Sequence, residues 1–240
     1  MDEAKIISIR EELEAELSWR ENELKLLKNQ LVKIQSNKEQ NIYRKSLVVM
    51  LYAHYEGFCN FAFQTYVMAI NEEKLLRKQV NNYLAAASMH QEFTLFENEE
   101  YKEKQFKKIF GQKPPEDRKL FKLSKRKYLL DALEDFLDQI MIIPDKVVNT
   151  ESNLRPLVLK KLLYSLGLPE NSFSRYEANI TELVNTRNAI SHGQKRDGVD
   201  GSTFERLEKT TRDINNAIII LIYDALRRKL YLKDSSVVFT

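Results

Sequence analysis

A single cysteine, Cys59, in 240 residues excludes an internal disulfide framework and any zinc site built on several thiolates, and makes a reducing compartment the natural setting. Glycine (6) and proline (5) are scarce, and no run alternates apolar and polar residues between turn signals, which leaves little room for sheet. No secretory leader is evident either. The opening MDEAKIISIREELEAEL is acidic and amphipathic, where a leader would be basic and then apolar, so the expected location is cytoplasmic. The net charge of +3 points to no class of partner by itself.

Residues 47–70, LVVMLYAHYEGFCNFAFQTYVMAI, have the length of a membrane span. They also carry His54, Glu56, Asn60 and Gln64, and a carboxylate near the centre of a span is costly in lipid. A buried core helix, apolar all round, is the favoured reading over a span, so no membrane association is expected.

What is present is helical patterning. Apolar residues make up 43% of the chain, enough for a sizeable core, and recur at three- and four-residue spacing, so the fold class is all-α. The spacing predicts a long amphipathic helix over residues 3–35, a turn at Ser36–Glu39 and a second long helix over 40–71 running back beside it as a helical hairpin. Further helices are predicted over 73–87, 125–141 (stopped by Pro144) and 154–166 (closed by Gly167 and Pro169). Two capping boxes, Ser174 with Glu177 and Ser202 with Glu205, mark the starts of the last two helices, the final one reaching about Lys229. One domain over 1–240 is expected, with a basic insertion at about 95–127. Residues 101–127 hold eleven Lys or Arg against three acids. Lys122, Lys125, Arg126 and Lys127, with the aromatics Tyr101, Phe106, Phe110, Phe121 and Tyr128 interleaved, read either as an RNA-contacting arm or as a solvated surface.

The segment LVNTRNAISHG, residues 183–193, carries the chemistry. Tyr176, Ile180, Leu183, Val184 and Ile190 form one helical face, and at about 100° per residue Arg187 falls near the centre of that apolar stripe. A guanidinium keeps its charge, so it needs an acid, a bound anion or a wet cavity there. His192 lies five residues on, about 140° around a continuous helix, and can turn back toward Arg187 only if the helix ends between them. Gly193 suits that ending. Asn188 is spaced to reach the His192 ring and fix its tautomer. Glu56, on the most apolar helix beside Gly57, is the candidate counter-charge of Arg187, or borders the same polar pocket. A structural Arg187–Glu56 ion pair, with His192 a mere helix-end residue, is the competing reading. His54 and His90 are read as structural.

Arg187-Asn188, then Ile190, His192 and Gly193, together with YAHYEGF on an early helix and the LGLP ending of a short helix, resembles the Arg-x4-His signature of the HEPN superfamily, in its stand-alone, RiboL-PSP-HEPN-like branch. The resemblance implies a HEPN-type helical bundle and a metal-independent endoribonuclease without cofactors, whose centre is completed by homodimerisation. It further implies a toxin or antiphage role, with a possible antitoxin or other restraining partner protein. On these residues it implies that Arg187 binds the scissile phosphate and that His192 is general base or acid, with Asn188 and Glu56 in support; an imidazole, titrating near about 6.5 on its own, suits either task. Two positions depart from the common pattern: Gln194 where a tyrosine is frequent, and Ser191 where alanine is common. A non-catalytic module binding RNA, a nucleotide or a protein is the alternative.

Overall fold

The computed structural model describes residues 1–97, 110–111 and 117–233. These residues form eight α-helices and no strand, with two isolated bridges, Leu76 with Ile140 and Val80 with Leu232. The architecture is all-α, consistent with the HEPN-type bundle that the sequence resemblance implies. Among the described residues, no helix is long and apolar enough to cross a membrane.

Helix α1 (Glu3–Lys28) is capped by the Asp2 carboxylate on the Lys5 N–H and runs on as a 3-10 turn over Asn29–Lys33. Ser36 caps α2 (Asn37–Asn71), the antiparallel partner, so the long hairpin forms with its second helix starting three residues earlier than its apolar pattern requires. Two further helices complete the bundle: α7 (Glu177–Ser191) and α8 (Gly201–Arg227). Helix α2 is central, packed by α1, α7 and α8. Its fully covered Tyr55, Phe58, Phe63 and Tyr66 fill the middle, which is why the segment is apolar on every side.

The predicted helix over 73–87 is not continuous. Lys74 takes a left-handed φ of 49°, and regular helix resumes only at α3 (Asn82–Ser88), followed by α4 (His90–Glu97). The break carries Arg77 inward, where its guanidinium reaches the Ser88 carbonyl at 2.9 Å, Glu92 at 2.8 Å and Gln139 at 3.1 Å. That network holds the start of α3–α4 against the end of α5 (Arg118–Leu137), and a helix over 73–81 would forfeit it. Helix α5 begins at its Asp117 cap, seven residues earlier than expected, so Lys122, Lys125, Arg126 and Lys127 are helical. Tyr101 and Phe106 lie outside the described residues. Helix α6 (Pro156–Ser165) ends at Gly167 as predicted.

Neither predicted capping box forms. Residues Ser174–Tyr176 make a 3-10 turn and α7 starts at Glu177 without a side-chain cap, while α8 is capped by Asp200, whose carboxylate accepts from the Thr203 N–H at 2.8 Å and from the Ser202 hydroxyl at 2.6 Å. A carboxylate at the helix N-terminus outcompetes a hydroxyl for the same orphan donors.

Candidate active site

The apolar stripe of α7 settles against α2 through Ile180, Leu183 and Val184, all buried. Arg187 follows one turn later on the same stripe, half-buried, as the spacing requires. Its guanidinium carbon lies 3.9 Å from the centre of the Tyr52 ring on α2, a stacked cation–π contact. One Nη donates a long hydrogen bond of 3.4 Å to the Ser152 carbonyl, and Nε is buried with no protein partner among the described residues.

The Ser152 carbonyl is delivered by a strained turn. Glu151 and Ser152 both take φ of 53°, in the left-handed region that non-glycine residues seldom enter. The turn is tied down on several sides: Asn149 accepts from the Glu151 N–H at 2.8 Å, and the Leu154 N–H donates to the Tyr52 hydroxyl at 2.8 Å. Arg155 reaches Asn185 of α7 at 3.2 Å. Tyr52 therefore acts twice, its ring beneath Arg187 and its hydroxyl anchoring the turn that offers Ser152. Burial pushes its phenol up, the Leu154 N–H pulls it down, and the charges of Glu56 (upward) and Arg187 (downward) act more weakly on the same group.

Glu56 and Arg187 thus border Tyr52, but they do not form the expected ion pair. No Asp or Glu oxygen among the described residues comes within 4.0 Å of Arg187. One Glu56 oxygen is itself buried without a hydrogen bond. Gly57 does admit a close neighbour, though from α1: the Arg20 guanidinium sits 2.8 Å from where a glycine-to-alanine change would place Cβ.

His192 is the C-cap residue of α7 and is exposed. The helix closes as its sequence predicts. Gly193 has φ of 69°, its N–H donates to the Ile190 carbonyl at 3.0 Å, and the Gln194 N–H reaches the Ala189 carbonyl at 2.8 Å, the paired bonds of a Schellman ending. Asn188 meets His192 through its main-chain carbonyl, which accepts from the His192 N–H at 2.9 Å, and its side-chain amide makes no bond to the ring. Among the described residues the imidazole has no hydrogen bond, ion pair or ring contact. The chain itself thus fixes Arg187 and leaves His192 on the rim, without a bond between them.

The remaining predicted residues lie elsewhere. Lys122 and Arg126 are exposed on α5, which buries none of its residues, and Lys127 pairs with Asp131 one turn away. Tyr52 and Ser152 carried no signal in the sequence, since one reads as core and the other as loop. Among the described residues no three His, Cys, Asp or Glu side chains gather as a metal site would need.

A family model described as RiboL-PSP-HEPN matches residues 15–227. The chain belongs to the RiboL-PSP-HEPN family. The match takes in Arg187, His192, Tyr52 and the YAHYEGF stretch; it begins within α1 and runs across the basic segment. The family fits a nuclease-like or RNA-related module. No curated protein and no solved structure matches the chain.

Proposed function

We propose that this HEPN domain is a metal-independent endoribonuclease that cleaves RNA through the ribose 2′-OH, with Arg187 and His192 as catalytic residues at a homodimer interface, and that it serves as a toxin or antiphage effector restrained by a partner protein. The carrying observation is the unspent guanidinium. Arg187 is held on the Tyr52 ring with one long hydrogen bond to the Ser152 carbonyl and, among the described residues, no carboxylate against it, which leaves its charge available to an incoming phosphodiester. Two donors on one planar cation suit two phosphate oxygens, and stabilising charge as it builds there is the largest effect such a site can supply.

The chemistry balances with imidazoles alone. One His192 takes the proton of the 2′-OH as the 2′ oxygen attacks phosphorus, and its twin from the second subunit gives a proton to the departing 5′ oxygen. The products are a 2′,3′-cyclic phosphate and a 5′-OH. DNA lacks the attacking group, so RNA selectivity follows from the reaction. An imidazole free on the rim of each chain suits a site completed by a second copy. Lys122, Lys125 and Arg126 on α5 would extend the electrostatic track for the strand, and neutralising them should flatten the salt dependence of RNA binding.

A second reading, a non-catalytic module that binds RNA, a nucleotide or a partner's acidic residue through the same guanidinium, draws on the lack of any bond between Arg187 and His192. Incubation of the purified protein with total RNA in EDTA, followed by mapping of the new ends, separates the two. The nuclease reading expects cyclic-phosphate and 5′-OH ends and a dimer at micromolar concentration. Binding without new ends, or cleavage abolished by EDTA, overturns it.

A further inference from the structure

A second polar feature lies on the other side of α2. The buried stripe of α1 runs Ile6, Ile9, Leu13, Leu17 and then skips to Leu24, with Arg20 and Glu21 in the gap. On α2, His54 interrupts the series Leu47, Leu51, Phe58, and on α8 Thr211 and Asn215 interrupt Leu207, Ile214, Ile218. The three interruptions fall at one level of the bundle and surround a cavity of about 550 Å³. His54 and Tyr52 are two residues apart on α2, roughly 200° around the helix, so this cavity is separate from the Arg187 site.

Its most buried wall carries a polar group that the protein does not satisfy, flanked by two that are poorly aligned on their partners. Asn215, 3% exposed, has Oδ1 buried with no partner. His54, 6% exposed, has Nε2 3.1 Å from a Glu23 oxygen but outside hydrogen-bond geometry, and Glu21 Oε1 stands 3.3 Å from Arg212 with the same misalignment. Burial holds the His54 imidazole below its usual range, against the pull of Glu23, so the ring is a neutral hydrogen-bonding group. A buried group left unpaired, as Asn215 Oδ1 is, costs about 1–3 kcal/mol, and with His54 and Glu21 misaligned on their neighbours at the same level the cavity has hydrogen-bonding groups to offer an occupant.

The chemistry of that occupant follows from the lining. Orphaned oxygens face inward, so an anion pushed to the bottom would be repelled and the deep end needs donors. Hydroxyls fit best, because a hydroxyl donates or accepts and so matches Asn215 whichever way its amide lies. Leu17, Leu24 and Leu51 offer apolar ground for the C–H face of a polyol. The charges at the wall are largely spent: Lys28 on Glu208 at 2.6 Å, Arg20 on Glu16 at 2.6 Å, Arg212 on Glu21. Lys25, exposed at the mouth, has no hydrogen bond or ion pair among the described residues and is free to meet one anionic group. The geometry points to a binding site for a hydroxyl-rich, singly phosphorylated small molecule of the sugar-phosphate class, its hydroxyls on Asn215, His54 and Glu21 and its phosphate at Lys25. The site is independent of the nuclease reading.

Calorimetric titration of the intact protein with ribose 5-phosphate, a ribonucleoside 5′-monophosphate, free ribose and inorganic phosphate tests it. Ribose 5-phosphate should bind with a submillimolar Kd, free ribose and inorganic phosphate at least tenfold more weakly; the nucleotide arm tells a free sugar phosphate from a nucleotide as the natural source. Lys25→Glu, an exposed change that leaves the fold alone, should weaken ribose 5-phosphate roughly tenfold and leave free ribose unchanged. Asn215→Leu, which replaces the buried amide with an apolar side chain of similar size, should abolish all binding. No binding of any probe at millimolar concentration, with Asn215→Leu at least as stable as the parent, would show a cavity occupied by water alone and overturn the proposal, as would binding indifferent to both substitutions.

Discussion

Arg187 and His192 stand five residues apart on α7 and are held in opposite ways. Arg187 lies on a ring, against a strained turn that is itself anchored to α2 through the Tyr52 hydroxyl. His192 sits one step from the Schellman ending, its backbone fixed and its imidazole untouched. Under the proposed function, the strained turn preorganises the charge of Arg187, and His192, without a side-chain bond among the described residues, is the proton carrier left to be placed from outside. In the proposed function a second copy of the chain does that placing.

The contrast can be broken by substitution. His192→Ala should produce the largest effect, a fall of about 10²–10⁴-fold in RNA cleavage, with stability unchanged within about 0.5 kcal/mol because nothing in the chain rests on the ring. Urea unfolding beside a cleavage assay reads both, and equal damage to fold and activity would erase the distinction. Arg187→Ala should cost about 10²–10³-fold in cleavage and, unlike the first, about 1 kcal/mol of stability, through the lost stacking on Tyr52. Arg187→Lys should rescue stability better than activity, because an ammonium cannot reproduce the planar fork.

Smaller effects sharpen the same contrast. Tyr52→Phe keeps the ring under Arg187 but strands the Leu154 N–H, and should cost about 1–3 kcal/mol in urea unfolding with a modest loss of cleavage. Gly193→Ala meets no steric obstacle at Cβ, yet must hold a φ of 69°, and should cost about 1 kcal/mol, with the His192 ring displaced in NMR spectra while the Tyr52 signals stay put.

How far these features were legible in the sequence depends on whether neighbours along the chain or across it decide them. The position of Arg187 on the stripe and the closure at Gly193 are matters of helical period and backbone freedom, and both can be read from LVNTRNAISHG. The bundle class follows from spacing alone. Helix starts are less legible: Ser202 and Asp200 both suit a cap, and it is the Asp200 carboxylate that takes the Thr203 N–H. The break at 73–81 escaped the pattern because Arg77 is drawn inward by Ser88, Glu92 and Gln139, partners up to 62 residues away. For the same reason the sequence offers Glu56 as the partner of Arg187: charge complementarity is visible in a sequence, whereas the contact of Arg187 with the Tyr52 ring depends on how α2 and α7 are rotated against each other. Ser152 had no local signature, because its left-handed backbone is imposed by the residues that anchor the turn.

The most direct test uses a short RNA carrying one 2′-deoxy sugar at the mapped cleavage position, incubated with the parent protein in EDTA. The account predicts that cleavage stops at that position alone, and that the all-ribose control is cut to a 2′,3′-cyclic phosphate and a 5′-OH by the parent but not by Arg187→Ala or His192→Ala. Cutting at the deoxy position, or undiminished cutting by either variant, would contradict it.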